Sequence, residues 1–263
     1  MNDVWNSEDI ILKKDKGIEY LQFKRLNDFN VKHCYTLKSD NINFSENSKE
    51  RDESFIKIAN SLDINPSFLV RPIQTHTANV RCIDKILNPQ ELKEIDGLIT
   101  NKSDIALVAR NADCILMLFY DPINKVIANV HSGWRGTFQK ICEKTVQKMI
   151  TYYQCKPENI NCFICPSIRK CHFEVDEDVK MLCENIFYFL DTNTFIEKGD
   201  IIDKKQKYYI DTVLINKLLL KNLGIREENI IDCNICSVCE KDKVHSYRIE
   251  KENKKIAASI IML

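Results

Sequence analysis

Apolar residues follow two rhythms along this chain. Short apolar or alternating runs, rich in β-branched and aromatic residues, occupy residues 10–12, 18–23 and 32–37, then 68–70, 79–83 and 98–100. Runs of that length and composition predict strands. Elsewhere apolar positions recur every three or four residues, the helical period. Phe55, Ile58, Ala59 and Leu62 mark a helix over 50–62. Phe138, Ile141, Cys142, Thr145, Val146, Met149, Ile150 and Tyr153 mark the clearest one, with Thr137 as its expected N-cap. Val179, Leu182, Cys183, Ile186 and Phe187 predict an inward face over 176–190. A further helix runs from an N-cap at Asp211 to a stop at Gly224. Another strand is expected at 160–164, and a closing hairpin from 246–250 and 255–263. Strands and helices interleave without an internal repeat, and several neighbouring strands read as antiparallel. The expectation is an α+β fold of mixed sheets covered by helices, in one domain over residues 1–263.

The strongest local signal lies at 114–131. Cys114-Ile-Leu-Met-Leu-Phe-Tyr120 and Lys125-Val-Ile-Ala-Asn-Val-His131 flank Asp121-Pro-Ile-Asn124, which is turn chemistry. With Tyr120 paired to Lys125 across that turn, Cys114 falls opposite His131. Directly opposed residues have Cβ atoms roughly 4.5–5.5 Å apart. A metal ion, a thiol–imidazole pair or a packed core contact would each suit that separation. A slip of one residue would send the two side chains to opposite faces.

Composition narrows the class. Apolar residues make up 44% of the 263, enough for a sizeable core. Lys plus Arg and Asp plus Glu number 38 each, so charge makes no case for nucleic acid or an anionic membrane as partner. The N-terminal stretch lacks the basic and apolar regions of a signal peptide. No apolar run reaches the ~18 residues of a membrane span. A cytoplasmic location is expected, where twelve cysteines are more readily buried thiols or ligands than disulfides.

His76, Cys114 and His131 are the candidate ligands. Two imidazoles and a thiolate make a sound zinc set, and three ligands leave a fourth position for water or substrate. Ser132-Gly-Trp-Arg-Gly136 then breaks the strand with glycines and opens a helix, where backbone and Arg135 could approach an anion. Asp113 is Cys114's neighbour, but strand neighbours point to opposite faces, so it is not expected to orient a nucleophile. Cys162-x₂-Cys165 and the run Cys233, Cys236, Cys239 read as buried thiols. The two pairs could form a structural zinc site, though Cys162 and Cys165 would face opposite ways along a strand.

Seven motifs in order carry a family resemblance: Gln74-Thr-His76, Asp96-Gly-Leu-Ile-Thr100, Ala112-Asp-Cys114, His131-Ser-Gly-Trp-Arg-Gly136, Cys171-His-Phe-Glu-Val175, Cys236-Ser-Val-Cys239 and Ser246-Tyr-Arg248. Over about residues 30–263 the chain resembles the YfiH-type family, also called laccase-domain or polyphenol oxidase-like proteins. The resemblance implies a four-layer α/β/β/α fold. It implies a single metal, usually zinc, on His76, Cys114 and His131. The activity it implies is phosphorolysis of adenosine, inosine, guanosine and methylthioadenosine, with adenosine deamination, so nucleoside and phosphate are the expected small-molecule partners. Lys38, Arg135 and Arg248 are the candidate phosphate or ribose contacts. The chain departs from the family at three places. Thr36-Leu-Lys38-Ser-Asp40 stands for Thr-Arg-x-Gly-Gly, Cys165-Pro-Ser-Ile-Arg169 for Gly-Pro-x-Ile-Gly, and Thr77 for a glycine. Competing readings are a cysteine hydrolase on a peptidoglycan precursor, with Cys114 as nucleophile, and a non-enzymatic metal-binding protein. Copper oxidation of phenols ranks last, since one such set cannot build a multi-copper cluster.

Overall fold

The computed structural model describes residues 4–40 and 42–263. The first three residues of the stretch read for a signal peptide, and position 41, lie outside the described residues. The strands are β1 (Ile10–Asp15), β2 (Ile18–Phe23), β3 (Lys32–Thr36), β4 (Leu69–Val70), β5 (Val80–Cys82), β6 (Gly97–Thr100), β7 (Ala106–Asn111) and β8 (Ile115–Asp121). They continue with β9 (Val126–Ser132), β10 (Asn161–Ile164), β11 (Glu174–Val175), β12 (Ile196–Ile202), β13 (Lys205–Ile210), β14 (Ile230–Asp232) and β15 (Ala257–Met262). The helices are α1 (Lys24–Asp28), α2 (Arg51–Ser61), α3 (Trp134–Phe138), α4 (Ile141–Tyr153), α5 (Glu177–Ile186), α6 (Thr212–Asn222) and α7 (Tyr247–Glu250). Among the described residues one mixed six-stranded sheet runs β1-β2-β3-β15-β7-β4 and a second runs β14-β10-β8-β9-β6-β5. A small antiparallel sheet, β11-β13-β12, lies apart from them.

The period of two along each strand sorts side chains into layers. In β8, Leu116, Leu118 and Tyr120 face the first sheet, where they meet Leu21, Leu107 and Ile261. Met117 and Phe119 face the other way, onto Ile141, Val146 and Met149 of α4 and Leu219 of α6. Burial on both faces explains why β8 reads as a continuous apolar run instead of an alternating one. On the far side of the first sheet, Cys34, Val108 and Ile260 pack against Phe55 and Ile58 of α2. The order is helix, sheet, sheet, helix, the expected α+β architecture. Truncating a core phenylalanine such as Phe163 or Phe119 costs about 3–5 kcal/mol.

The central hairpin forms, but in a different register. Asp121 pairs with Val126 and Leu116 with His131, a shift of two from the expected Tyr120–Lys125 closure. Asp121 causes it. Its buried carboxylate accepts from the N–H groups of Ile123 and Asn124 and from the Asn124 amide, so the turn starts after it. Lys125, at φ 52°, completes the loop in the left-handed region. A shift of two preserves the faces, so Cys114 stays on the side of His131, as a diagonal neighbour.

Three other expectations are corrected. Thr137 lies inside α3 and does not cap the long helix; its hydroxyl bonds Ser132 Oγ at 2.9 Å and accepts from Asn216 Nδ2. α4 starts after left-handed Lys140. Leu182 is 44% exposed instead of inward. Residues 246–250 do not pair with the chain end: they form α7, and β15 inserts between β3 and β7. No helix among the described residues is long and apolar enough to cross a membrane.

Candidate metal centre and its cleft

The site sits at the mouth of the space between the two large sheets. β6 and β9 run antiparallel with Gly97 opposite Val130, and one step further Asp96 and His131 oppose each other. His131 Nδ1 donates to Asp96 Oδ1 at 2.8 Å, and the His131 N–H donates to the Asp96 carbonyl at 2.7 Å. The imidazole is thereby oriented with Nε2 free to face the site.

The loop carrying His76 wraps around the same carboxylate. The N–H groups of Thr75, His76 and Thr77 donate to Asp96 at 3.3, 3.0 and 2.8 Å, and the Thr77 hydroxyl adds a bond of 2.7 Å. This cradle requires His76 to take φ 64°, a strained value for a residue with a Cβ. Thr77, where the family has glycine, gains that hydroxyl contact. Gly133 makes room for the constellation: a Cβ there would lie 2.8 Å from His76 Cδ2 and 3.2 Å from Cys114 Sγ. Gly136 has a similar task, since its Cβ would stand 3.1 Å from the Thr77 carbonyl.

The ligand atoms of His76, Cys114 and His131 lie within 4.8 Å of one another. Cys114 Sγ is 3.7 Å from His76 Nε2, and the two imidazoles meet edge to face with centroids 4.9 Å apart. Burial would raise the Cys114 thiol, but His131 and His76 beside it hold it down at about 6. Burial would lower His131, but Cys114 and Asp96 keep it up at about 9. Asp96 itself is pushed up by burial and pulled below the ordinary carboxylate value by His131 and Thr77. The pair therefore favours thiolate beside imidazolium, and a cation taking the imidazolium's place would expel a proton. The donor set fits a borderline-soft metal such as zinc, with a position left open.

These groups form one wall of a cleft of about 410 Å³. Its other walls include Gln74, Arg110, Tyr247, Lys254 and Glu46. Arg110 is half-buried and bound to Glu46 at 2.7 Å, so its charge is matched. Lys254 lies over the Tyr247 ring at 4.7 Å. The three cations expected from sequence are placed differently. Lys38 pairs with Glu250 and donates to the Lys241 carbonyl. Arg135 is exposed and stacks on Trp134. Arg248 lines a smaller neighbouring hollow that also touches Cys114. Sequence reasoning assigned no site role to Arg110, Lys254 or Tyr247, and met Asp96 only as part of a motif. The pairing that places Asp96 beside His131 joins residues far apart in the chain and leaves no local signal.

Asp113 turns away from the centre, as expected, to accept from Ser237 Oγ at 2.6 Å and the Arg248 N–H at 2.7 Å. Cys162 and Cys165 do face opposite cores. Cys233 is a buried thiol beside Arg169. Cys236 is buried as expected, whereas Cys239 is exposed and corrects the buried-thiol reading; both converge with Cys171 and His172. A zinc site built from the two C-x₂-C pairs is ruled out by the same separation.

A two-sheet sandwich covered by helices, with a Cys/His₂ set at its open edge, defines a candidate metal-dependent class. The family described as multi-copper polyphenol oxidoreductase laccase matches residues 32–263, and the chain belongs to it. A purine nucleoside phosphorylase of Clostridium acetobutylicum is 29% identical over 242 residues, 90% of this chain and 92% of that protein. One of Borreliella burgdorferi is 30% identical over 242 residues, 90% of this chain and 94% of that one. Human purine nucleoside phosphorylase LACC1 is 30% identical over 227 residues, 82% of this chain. The chain spans about half of the mammalian relatives, 48% of the mouse protein and 49% of the human one. Among solved structures, YfiH of Bacillus licheniformis matches with a TM-score of 0.84 at 23% identity, covering 96% of this chain and 98% of that one. YlmD of Geobacillus stearothermophilus gives 0.81 at 19%, covering 95% and 98%. At these identities the likeness establishes the fold.

Proposed function

We propose that this protein is a zinc-dependent purine nucleoside phosphorylase, acting on adenosine, inosine, guanosine and methylthioadenosine, that also deaminates adenosine. The observation that carries the reading is the open three-donor set at the wall of a nucleoside-sized cleft. Relatives named purine nucleoside phosphorylase support it. His76, Cys114 and His131 hold the metal, and Asp96 orients His131. A zinc ion held there would supply Lewis acidity for the deamination. Tyr247 offers an aromatic face for the base. Lys254 is the cation this cleft offers to phosphate, and Arg248 approaches from the neighbouring hollow. In phosphorolysis a phosphate oxygen bonds C1′ of the ribose as the bond to the base nitrogen breaks, and the base leaves with a proton.

The test is the product profile of metal-analysed protein with adenosine, with and without phosphate. Adenine only with phosphate, and inosine without it, are expected. Cys114→Ala abolishes both; full turnover in that variant would sink the assignment.

One geometric feature favours a second reading. Cys114, His131 and Asp96 stand in the order of nucleophile, base and orienting acid. A cysteine hydrolase acting on a peptidoglycan precursor would keep its turnover after chelation and lose it when Cys114 is alkylated.

A further inference from the structure

We propose that Cys171, His172, Cys236 and Cys239 hold a second zinc ion, in a closed structural site outside the cleft. None of the four lines the cleft. Their donor atoms lie within 4.8 Å of one another. Cys171 Sγ is 3.6 Å from Cys236 Sγ and 3.9 Å from Cys239 Sγ. His172 Nδ1 stands 3.2, 3.6 and 3.6 Å from the sulfurs of Cys171, Cys236 and Cys239. A tetrahedral ion with Zn–S near 2.3 Å and Zn–N near 2.0–2.1 Å requires ligand separations of about 3.5 to 3.8 Å. The cluster matches that edge length nearly throughout, and the sulfurs are too far apart to be bonded to one another.

Packing alone does not account for the convergence. Cys171 and Cys239 are exposed, so apolar burial does not hold them there. The apolar cluster beneath is small: Ile168, Val238 and Phe173 around Cys236. Cys236-Ser-Val-Cys239 also has the two-residue spacing of a zinc-binding turn.

Four protein ligands leave no open position, so the role is to clamp one loop to another. The clamped loops are 169–173 and 233–240. Between the two cysteines of the turn, Ser237 donates to Asp113 Oδ1 at 2.6 Å, and Ile168 N–H donates to the Asp113 carbonyl at 2.8 Å. Asp113 sits at φ 83° immediately before Cys114. The second ion thus braces the backbone that presents Cys114.

The experiment uses the full chain carrying Cys114→Ala, which disables the cleft's donor set. Zinc measured by native mass spectrometry should remain at one per chain and should disappear when Cys171→Ser and Cys239→Ser are added. Cobalt in the Cys114→Ala protein should give the intense visible absorption of a tetrahedral thiolate site. In the wild-type protein, alkylation of Cys171 and Cys239 should be slower by about tenfold or more until a chelator is added. Zinc-free Cys114→Ala beside zinc-bound wild type overturns the proposal. So does alkylation at one rate with and without chelator, or a disulfide among Cys171, Cys236 and Cys239 in the purified protein.

Discussion

Asp96 accepts from three consecutive backbone N–H groups and from His131, so removing its charge acts on two candidate ligands at once. Asp96→Asn keeps the shape but replaces one acceptor oxygen with a donor. Zinc affinity at the cleft should fall by about 10–100-fold, read by competition with a chromophoric chelator. Gly133→Ala tests the steric side of the same centre. Its new methyl would meet the His76 ring at 2.8 Å, and the ring is held by its strained loop. Loss of metal affinity with little change in Tm is expected; full zinc loading in that variant would refute the close approach. Tyr247→Ala should raise KM for adenosine about 5- to 150-fold if the base stacks there, an interaction worth about 1–3 kcal/mol. Asp96 and Tyr247 both lie in motifs that carry the resemblance, but the role of each was not legible because it is acquired only when distant segments meet.

At the scale of elements, His33 links β3 to the end of β2. Its Nε2 accepts from the Phe23 N–H at 2.7 Å and its Nδ1 donates to the Val31 carbonyl at 2.8 Å, which demands the neutral ring. Burial lowers its pKa from 6.5 to about 4, outweighing the bond to Val31, and the accepted Phe23 N–H favours the same neutral ring. The unfolded chain therefore takes up a proton first as pH falls, and stability present above 6.5 is lost between 6.5 and about 4. The loss should be about 3 kcal/mol. Urea unfolding at a series of pH values measures it, and His33→Gln should flatten that part of the profile. The periodicity of β2, α2 and α6 made their boundaries legible to within a residue or two, since local pattern decides them. The hairpin register was not legible, because the Asp121 carboxylate turned the chain one residue later than Pro122 suggested. α7 replaced an expected strand for a comparable reason. Its start is tied by the Arg248 N–H to Asp113, a partner more than a hundred residues away.

At the scale of the molecule, the two sheets are joined by more than apolar burial. Asn129 of β9 reaches across the interface, donating to the carbonyls of Leu107 and Ser259 and accepting from the Ser259 hydroxyl. Asn129→Ala leaves those groups buried and unpartnered and should cost about 1–3 kcal/mol per orphaned group, measured by denaturant unfolding. Mixed sheets covered by helices were legible from the alternation of periods, while the four-layer order was implied only by the family resemblance. The central place of β15 was not, since its partners β3 and β7 are far from it in the chain. That placement also governs how the molecule comes into being on the ribosome. Ile260 pairs with Cys34, and Ala258 with Arg110, so the β1–β3 ribbon has no lasting neighbour until residue 262 has emerged. Strand pairing over such sequence distances is slow. Throughout synthesis β3 and β7 present unsatisfied edges to any other strand nearby. A nascent-chain proteolysis series should therefore find the first sheet cleavable until β15 has emerged, and protected as a unit immediately afterwards.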